Sequence, residues 1–479
     1  MPLLVALTRR PGGAPVPALR AFTLGLVTGA VSFTGTLYWM TTVMRVYGGL
    51  HPLAAVPVHA LLVAYLALYP ALFAVITVRL LRRFGLAALL LAPAVWVAAE
   101  YGRGTLLGGF PWVLLGSSQA SLLPIAQAAS LVGVYGLSLV IAFVNTAAAY
   151  VLVGGARRGP QVAAGVAAVG LVAALAAWGQ TRIGDAGLTR AGVPIRVGIV
   201  QGNVPQDQKW APDRAAAILQ RYLEGTRDAA AAGASLVVWP ESATPFFFEE
   251  DAAGREAIVR TVRTAGVHLL FGSDQIEGAF PLRYYNAAFM LTPDGRTAAV
   301  YRKMHLVPFG EYVPFKRLLF FVGPLIEAVS DFSAGTEPTL LPVGDRRVST
   351  AICYESVFPS LIGRFTRSGS ELLTTITNDA WYGRSSAPYQ HFAQGSMRAI
   401  EQGRYLVRAA NTGISAIVDP YGRVTGRTGL FETRVLVGTA RFLTTRTVYA
   451  TIGDLAAQLS VFLTALALLA SRGRRRAAA

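Results

Sequence analysis

The sequence predicts a multi-span α-helical membrane bundle that carries one large α/β layered domain. Of the 479 residues, 53% are hydrophobic and only 14% are charged, whereas a soluble chain carries roughly 25% charged residues. The apolar excess lies in long runs before residue 180 and near the C-terminus. Residues 195–440 instead have mixed charges and short alternating patterns. This distribution excludes an ordinary cytosolic protein and a disordered one.

The membrane domain is expected at residues 1–180. A membrane span needs roughly 20 mostly apolar residues. Runs of this kind predict spans near 21–43, 54–78, 84–100, 122–153 and 161–179, with a C-terminal span at 448–471. The fourth run is too long for one straight span, so its first half, around Pro124, is expected to be broken or interfacial.

Arginine clusters predict the orientation of these spans. They precede the first span and follow the second, fourth and sixth, at Arg9, Arg10, Arg20, Arg79, Arg82, Arg83, Arg157, Arg158, Arg472, Arg474, Arg475 and Arg476. All four clusters then fall on one side of the membrane, which the positive-inside rule assigns to the cytoplasm. Both termini, including a basic tail at 472–479, are therefore expected in the cytoplasm. The domain at 195–440 is expected outside, in the periplasm if the cell has one.

The net charge of +17 is attributed to arginine coding bias and to these arginine clusters, and not to nucleic-acid binding.

The domain at 195–440 alternates between strand-like and helix-like patterns, which predicts an α/β layered fold. Strand-like runs are at 195–200, 235–239, 268–272, 287–291, 298–301, 348–354, 372–377, 414–418 and 435–438, and helix-like runs at 212–232, 252–265 and about 389–408. There is no glycine-rich phosphate loop, and the five histidines are scattered without metal-ligand spacing. No metal or organic cofactor is therefore predicted, and His305 and His391 are expected to be structural.

Three chemically active side chains follow or end strand-like runs: Glu241, Lys303 and the single cysteine, Cys353. Strand ends in layered α/β folds converge on clefts. A thiol, a carboxylate and an ammonium together can perform acyl transfer, as nucleophile, general base and oxyanion stabiliser. Taken singly, each has a plainer interpretation. Cys353 would be a small core residue, Glu241 a charge at a helix N-terminus and Lys303 a solvated strand end. A lone cysteine also excludes an internal disulfide.

Three segments resemble the signatures of the carbon–nitrogen hydrolase (nitrilase) superfamily, at residues 236–242, 301–312 and 351–355. This resemblance implies an α-β-β-α sandwich with Glu241, Lys303 and Cys353 as its catalytic set. Within the superfamily, the chain resembles the apolipoprotein N-acyltransferase family more closely. The residues that carry this second resemblance are 109–112, 200–206, 209–210, 305–311, 377–383 and 390–392, together with helices before and after the domain.

The resemblance implies a reaction and its partners. A fatty acyl chain would pass from a phospholipid, typically phosphatidylethanolamine, through a thioester on Cys353 to the α-amino group of a diacylglyceryl apolipoprotein. The enzyme would be a monomer of the bacterial inner membrane that works by a ping-pong mechanism. A membrane-tethered amidase would share the same three residues and remains the alternative. A receptor or transporter is a third class, for which more intramembrane charges would be expected.

Further residues are assigned supporting roles by their motifs. Glu311 would orient Lys303, and the Tyr354 backbone N–H would assist in binding the oxyanion. Glu355 would either pair with a basic residue or be structural. Trp210, Trp381 and Tyr382 would line an acyl or headgroup pocket, with ordinary core packing as the alternative. The apolar run at 318–325 would form a lid at the membrane, or else a buried helix turn.

The chain departs from the family in its number of spans. The family usually has two more spans at its N-terminus, and residues 1–7 resemble the end of the second of these. Either a late start or a shorter member would account for the difference.

Overall fold

The computed structural model describes residues 1–8, 16–154, 158–278, 280–314 and 331–472. The chain divides into two compact units. One comprises Met1–Asp185 with Ile452–Ala479, and the other comprises Ala186–Thr451. The first is helical, and the second carries the β-sheets. The expected lid at 318–325 lies outside the described residues.

Six helical segments among the described residues are long and apolar enough to cross a membrane. They are Ala18–Leu37, Pro52–Phe84, Leu86–Gly108, Ala129–Val153, Gly159–Arg190 and Leu455–Arg472. Several of their large apolar side chains point outward, among them Leu19, Val31 and Leu61. A helix that is apolar on its outer face is suited to lipid and not to water.

Shorter elements complete the helical unit and show where the spans begin. They are helices Pro2–Thr8, Met40–Val46, Ala92–Thr105 and Leu123–Ala126, with 3₁₀ turns Leu86–Leu91, Leu106–Gly108 and Leu115–Gln119. The long run around Pro124 is divided into a short turn and a long helix. The C-terminal span begins at Leu455, later than the expected residue 448. A separate short helix, Val448–Ile452, precedes it and is followed by Gly453, whose φ is +63°. Glycine adopts this left-handed conformation without the steric cost that a side chain would add.

The second unit contains twelve described strands in two six-stranded sheets. They are β1 Val193–Gln201, β2 Leu236–Val238, β3 His268–Glu277, β4 Arg283–Leu291, β5 Thr297–Arg302, β6 Leu341–Val343, β7 Arg346–Ile352, β8 Leu372–Thr377, β9 Leu406–Ala410, β10 Ala416–Val418, β11 Val424–Arg427 and β12 Arg434–Phe442. The first sheet has the order β12-β1-β2-β3-β4-β5 and the second the order β11-β10-β9-β8-β7-β6. Each is mixed, with parallel pairing at its centre and antiparallel pairing at its edges.

Helices connect the parallel strands, because a parallel pair needs a long crossover connection. The long ones are Pro212–Ala231 and Ala252–Ala265 in the first half, and Pro359–Arg367 and Ala387–Gln402 in the second. Short helical segments are Gly187–Arg190, Cys353–Val357 and Asp379–Tyr382. The sheets meet where β1 faces β9 and β4 faces β7. Strands such as β8 are buried at every position because both of their faces are covered. The α-β-β-α sandwich predicted from the resemblance is confirmed.

One predicted helix was too long. The pattern predicts a single helix at about 389–408, but the helix ends at Gln402 and β9 follows. Gly403 caps the helix with φ +61°, which is the usual way for a helix to stop. The pattern concealed β9 because this strand contains Arg408, a charged residue that is buried through an ion pair with Asp379.

Candidate active site

Both sheets contribute strand ends to the candidate site. Glu241 lies just beyond β2, Lys303 directly follows β5, and Cys353 directly follows β7. The first two strands belong to one sheet and the third to the other. All three side chains are buried. The plain interpretation of Lys303 as a solvated strand end is therefore wrong.

Lys303 lies between two carboxylates. Its Nζ atom is 2.9 Å from Glu311 Oε1 and 3.3 Å from Glu241 Oε1. Burial alone would lower the pKa of Lys303, but the carboxylates of Glu311 and Glu241 outweigh it and raise this pKa above its usual value. The Lys303 ammonium is therefore charged at neutral pH.

Asn286 in β4 orients the same two carboxylates. Its Nδ2 atom donates to Glu241 Oε1 and to Glu311 Oε1, each at 2.8 Å. The remaining oxygens accept from backbone N–H groups, Glu241 Oε2 from Asn378 and Glu311 Oε2 from Val307, again at 2.8 Å. Although burial opposes ionisation, Lys303 and Asn286 hold the pKa of Glu241 below its usual range. Glu241 is thus an ionised, oriented carboxylate that can accept a proton.

Cys353 directly follows β7 and is the first residue of the short helix Cys353–Val357, where the backbone is strained. Its φ is +53°, a region that residues other than glycine rarely occupy and that is over-represented at functional sites. Burial raises the pKa of the Cys353 thiol, and the neighbouring Glu241 carboxylate raises it further, against the opposing effect of Lys303. The thiol is therefore neutral at rest, so its attack on a carbonyl needs a base to remove the proton.

Glu355 links the segment after Lys303 to the strand before Cys353. Its Oε1 atom accepts from Tyr301 Oη at 2.8 Å and from the backbone N–H groups of Met304 and His305 at 2.7 and 3.0 Å. Its Oε2 atom accepts from the Ile352 N–H at 2.8 Å. Of the two roles considered for Glu355, this geometry matches the structural one, since none of these four donors is a basic side chain.

The aromatic candidates differ in their surroundings. Trp210 and Trp381 are 46% and 37% exposed, so the alternative of ordinary core packing does not describe them. Tyr382 is partly buried, and burial together with the nearby Cys353 raises the pKa of its hydroxyl. Tyr354 is buried, with its ring packed edge-on against Phe358 at a centroid distance of 5.0 Å.

Sequence reasoning assigned no role to several polar residues at the site. The Nζ atom of buried Lys209 donates to the Glu241 backbone oxygen at 3.2 Å, and burial lowers the pKa of this lysine against the pull of Glu241 and Asp274. Two features of the sequence point to Lys209 and Asn286. Lysine is rare in this arginine-rich chain, and Asn286 is a polar residue in an apolar part of β4.

Within the described residues, no three histidine, cysteine or acidic side chains are grouped to hold a metal ion.

The fold and the site define the class of protein to which the chain belongs. The family model for carbon–nitrogen hydrolases matches residues 196–449, which contain the sandwich and all three strand-end residues. A second model, the apolipoprotein N-acyltransferase N-terminal domain, matches residues 1–147. The chain belongs to the apolipoprotein N-acyltransferase family.

Curated relatives named apolipoprotein N-acyltransferase are similar over most of the chain. The relative from Geobacter metallireducens is 41% identical, over 95% of this chain and 86% of its own length. Those from Methylococcus capsulatus and Nitrosomonas europaea are 37% and 35% identical, over 91% and 99% of this chain and 84% and 92% of their own lengths. An amidase from Nesterenkonia sp. is similar in structure, with 21% identity and a TM-score of 0.42 over 56% of this chain and 97% of its own. The family assignment made from the motifs is confirmed.

Proposed function

We propose that this chain completes lipoprotein maturation by transferring a fatty acyl group from a phospholipid to the α-amino group of a diacylglyceryl-cysteine at the N-terminus of an apolipoprotein. The observation that carries the proposal is the buried Cys353 thiol at the same site as the Glu241 carboxylate and the Lys303 ammonium. The names of the relatives and the N-terminal family model favour this acceptor over the small amides of an amidase.

In the first half-reaction, Cys353 Sγ attacks the ester carbonyl of the phospholipid while its proton passes to Glu241. The tetrahedral oxyanion is stabilised by the Lys303 ammonium and the Tyr354 backbone N–H. When the C–O bond breaks, Glu241 returns the proton to the leaving alkoxide. A lysophospholipid departs and a thioester remains on Cys353.

In the second half-reaction, the lipoprotein amine attacks the thioester carbonyl and Glu241 accepts the proton that the nitrogen loses. The C–S bond breaks as the amide forms, and the proton on Glu241 returns to the Cys353 sulfur. The enzyme is then ready for another phospholipid, which makes the scheme ping-pong. Glu241 serves both halves as an acid and a base, so its orientation by Asn286 and Asn378 supports each proton transfer.

The other site residues position these groups or the substrates. Glu311 holds Lys303 charged and in place through their 2.9 Å contact. Exposed Trp210 and Trp381, with Tyr382, would contact the acyl chain or headgroup, because aromatic rings offer apolar area with a polar edge. Phosphatidylethanolamine is the proposed donor, and the enzyme acts as a monomer.

Intact-protein mass spectrometry tests the mechanism directly. Purified enzyme mixed with phosphatidylethanolamine alone should gain one acyl mass, which peptide mapping places on Cys353, and Cys353→Ala should gain none. Adding a diacylglyceryl peptide should then discharge the adduct and yield a triacylated peptide. Amide hydrolysis without an acyl adduct would favour the amidase, and an adduct on another residue would remove Cys353 as the nucleophile.

The proposed orientation places the sandwich in the periplasm of a bacterial inner membrane and both termini in the cytoplasm. Single cysteines introduced into Cys353→Ala would test this at two exposed sites, Asp213→Cys in the sandwich unit and Arg83→Cys in the helical unit. A membrane-impermeant maleimide applied to spheroplasts should label the first and spare the second until the membrane is permeabilised. The reverse pattern would overturn the orientation.

A further inference from the structure

A buried polar cluster adjoins Cys353, and the proposed mechanism uses none of its members. It consists of Ser356, Asp379, His391 and Arg408, whose side chains are almost completely inaccessible. They come from four elements: the turn after β7, the segment after β8, the helix Ala387–Gln402 and β9. Four polar side chains gathered in a core are costly unless they are fully partnered, so their contacts are informative.

Two members of the cluster hold the backbone of the nucleophile. His391 Nε2 lies 3.1 Å from the Cys353 carbonyl oxygen, and Ser356 Oγ donates to the same oxygen at 3.0 Å. A carbonyl oxygen can only accept, so the Nε2 atom donates in this contact. Cys353 has a φ of +53°, and such a conformation persists only where surrounding contacts fix it.

The other side of the imidazole is fixed as firmly. His391 Nδ1 lies 2.9 Å from Asp379 Oδ1 and 3.0 Å from Arg408 Nη2. Arg408 Nη2 is in turn 2.9 Å from Asp379 Oδ2. The ring is therefore held on both edges and cannot rotate without breaking buried charge-assisted hydrogen bonds.

The cluster also connects to the general base. Asp379 follows Asn378, and the Asn378 backbone N–H donates to Glu241 Oε2 at 2.8 Å. A path of one peptide unit and three hydrogen bonds thus runs from Glu241 through Asn378, Asp379 and His391 to Cys353. The base and the nucleophile are anchored to the same buried group, although they come from different sheets.

We propose that His391 is a positioning residue for acyl transfer, which holds the Cys353 carbonyl and so fixes the nucleophile relative to Glu241. The proposal rests on the proposed function, since it concerns the thioester-forming step. His391 touches no reacting atom in this scheme, and its effect is transmitted through the backbone of the turn. A displacement of reacting groups by about 1 Å can cost on the order of 100-fold in rate.

The test compares two replacements of similar length. His391→Gln keeps an N–H donor that can reach the Cys353 carbonyl, and His391→Met removes it. Single-turnover acylation by saturating phosphatidylethanolamine should be slowed on the order of 100-fold by His391→Met. It should be substantially restored in His391→Gln, and KM for the phospholipid should change less than twofold in both. Ser356→Ala should slow acylation about tenfold through the other hydrogen bond to the same carbonyl.

Ser349→Ala is the matched control, because Ser349 is equally buried in β7 but bonds to Ser370 Oγ at 2.7 Å, away from the turn. Its acylation rate should equal that of the unmodified enzyme. Equal rates for His391→Gln and His391→Met would overturn the positioning role. If His391→Met does not fold, a normal acylation rate in Ser356→Ala would overturn it instead. Failure of the unmodified enzyme to form any adduct would count against the proposed function, and not against this role alone.

Discussion

Tyr301 donates a hydrogen bond of 2.8 Å to Glu355 Oε1, and this bond joins β5 of one sheet to the short helix that follows β7 of the other sheet. Tyr301 lies in β5, two residues before Lys303, and Glu355 lies two residues after Cys353. The same carboxylate also accepts from the N–H groups that flank the site. The buried Glu355 side chain therefore links the end of β5, which Lys303 follows, to the end of β7, which Cys353 follows. Lys303 is the proposed stabiliser of the oxyanion, and Cys353 is the proposed nucleophile.

Glu355→Gln tests this link. The amide keeps one acceptor oxygen but places an NH₂ group opposite a backbone N–H, which leaves at least one buried donor unsatisfied. We expect a loss of about 1–3 kcal/mol in the free energy of unfolding and slower acylation of Cys353. Tyr301→Phe removes a single bond and should cost about 1 kcal/mol. Thermal unfolding and single-turnover acylation measure the two effects. A Glu355→Gln variant with unchanged unfolding free energy and acylation rate would contradict the link.

Asn286→Asp should impair Glu241, the proposed general base. The change replaces the donor that Glu241 and Glu311 share with a third carboxyl group, so the pKa of Glu241 should rise. Acylation should fall by about 100-fold at neutral pH, and the acid limb of its pH profile should move to higher pH. Met290→Leu, a conservative change at a buried position of the same strand, is the control. The prediction fails if the rate falls while the pH profile stays in place.

Asp274 should make stability depend on pH. Burial raises the pKa of this carboxyl from 3.8 to about 6, against the opposing effect of Lys209. The folded state therefore binds more protons than the unfolded state between about pH 4 and 6, so stability should fall as the pH rises through this window. The full effect is about 3 kcal/mol.

The measurement is the midpoint of thermal unfolding at a series of pH values for the unmodified protein and Asp274→Asn. The difference between the two curves should grow from pH 4 to pH 6 in favour of the variant and then become constant. A difference that is independent of pH would show that Asp274 does not titrate in this range.

Arg404 should be essential for stability. This buried guanidinium donates to the carbonyl oxygens of Ser370 at 2.9 Å and Thr444 at 3.2 Å, and also to that of Thr445. Arg404→Met would leave these carbonyls without their donor and should cost about 3 kcal/mol. Hydrogen exchange should also become faster at residues 443–447, which follow β12.

Arg434→Met is the comparison, because the Arg434 side chain is 56% exposed and its loss should change stability by less than about 0.5 kcal/mol. Similar midpoints of thermal unfolding for the two variants would refute the assignment of Arg404.

The sequence predicted the parts of the fold and site that depend on local pattern. Glu241, Lys303 and Cys353 were recognisable because each stands where an apolar run ends, and the spans because apolar runs of that length are distinctive. The contacts of Asn286 and Lys209 were not predictable, because their partners are distant along the chain. Strand β9 was missed for a similar reason, since Arg408 looks solvent-facing until Asp379 is placed beside it.

Lysine usage has a consequence for chemical probing. The chain has three lysines, Lys209, Lys303 and Lys316, and the two that the structure describes are buried at the candidate site. Lys303 is held protonated by its carboxylates, whereas burial lowers the pKa of Lys209 and increases its share of nucleophilic free amine. On most proteins, reagents that acylate lysine coat the surface indiscriminately. Here, among the described lysines, Lys209 is the one that such a reagent should modify, and its reaction would report on the candidate site.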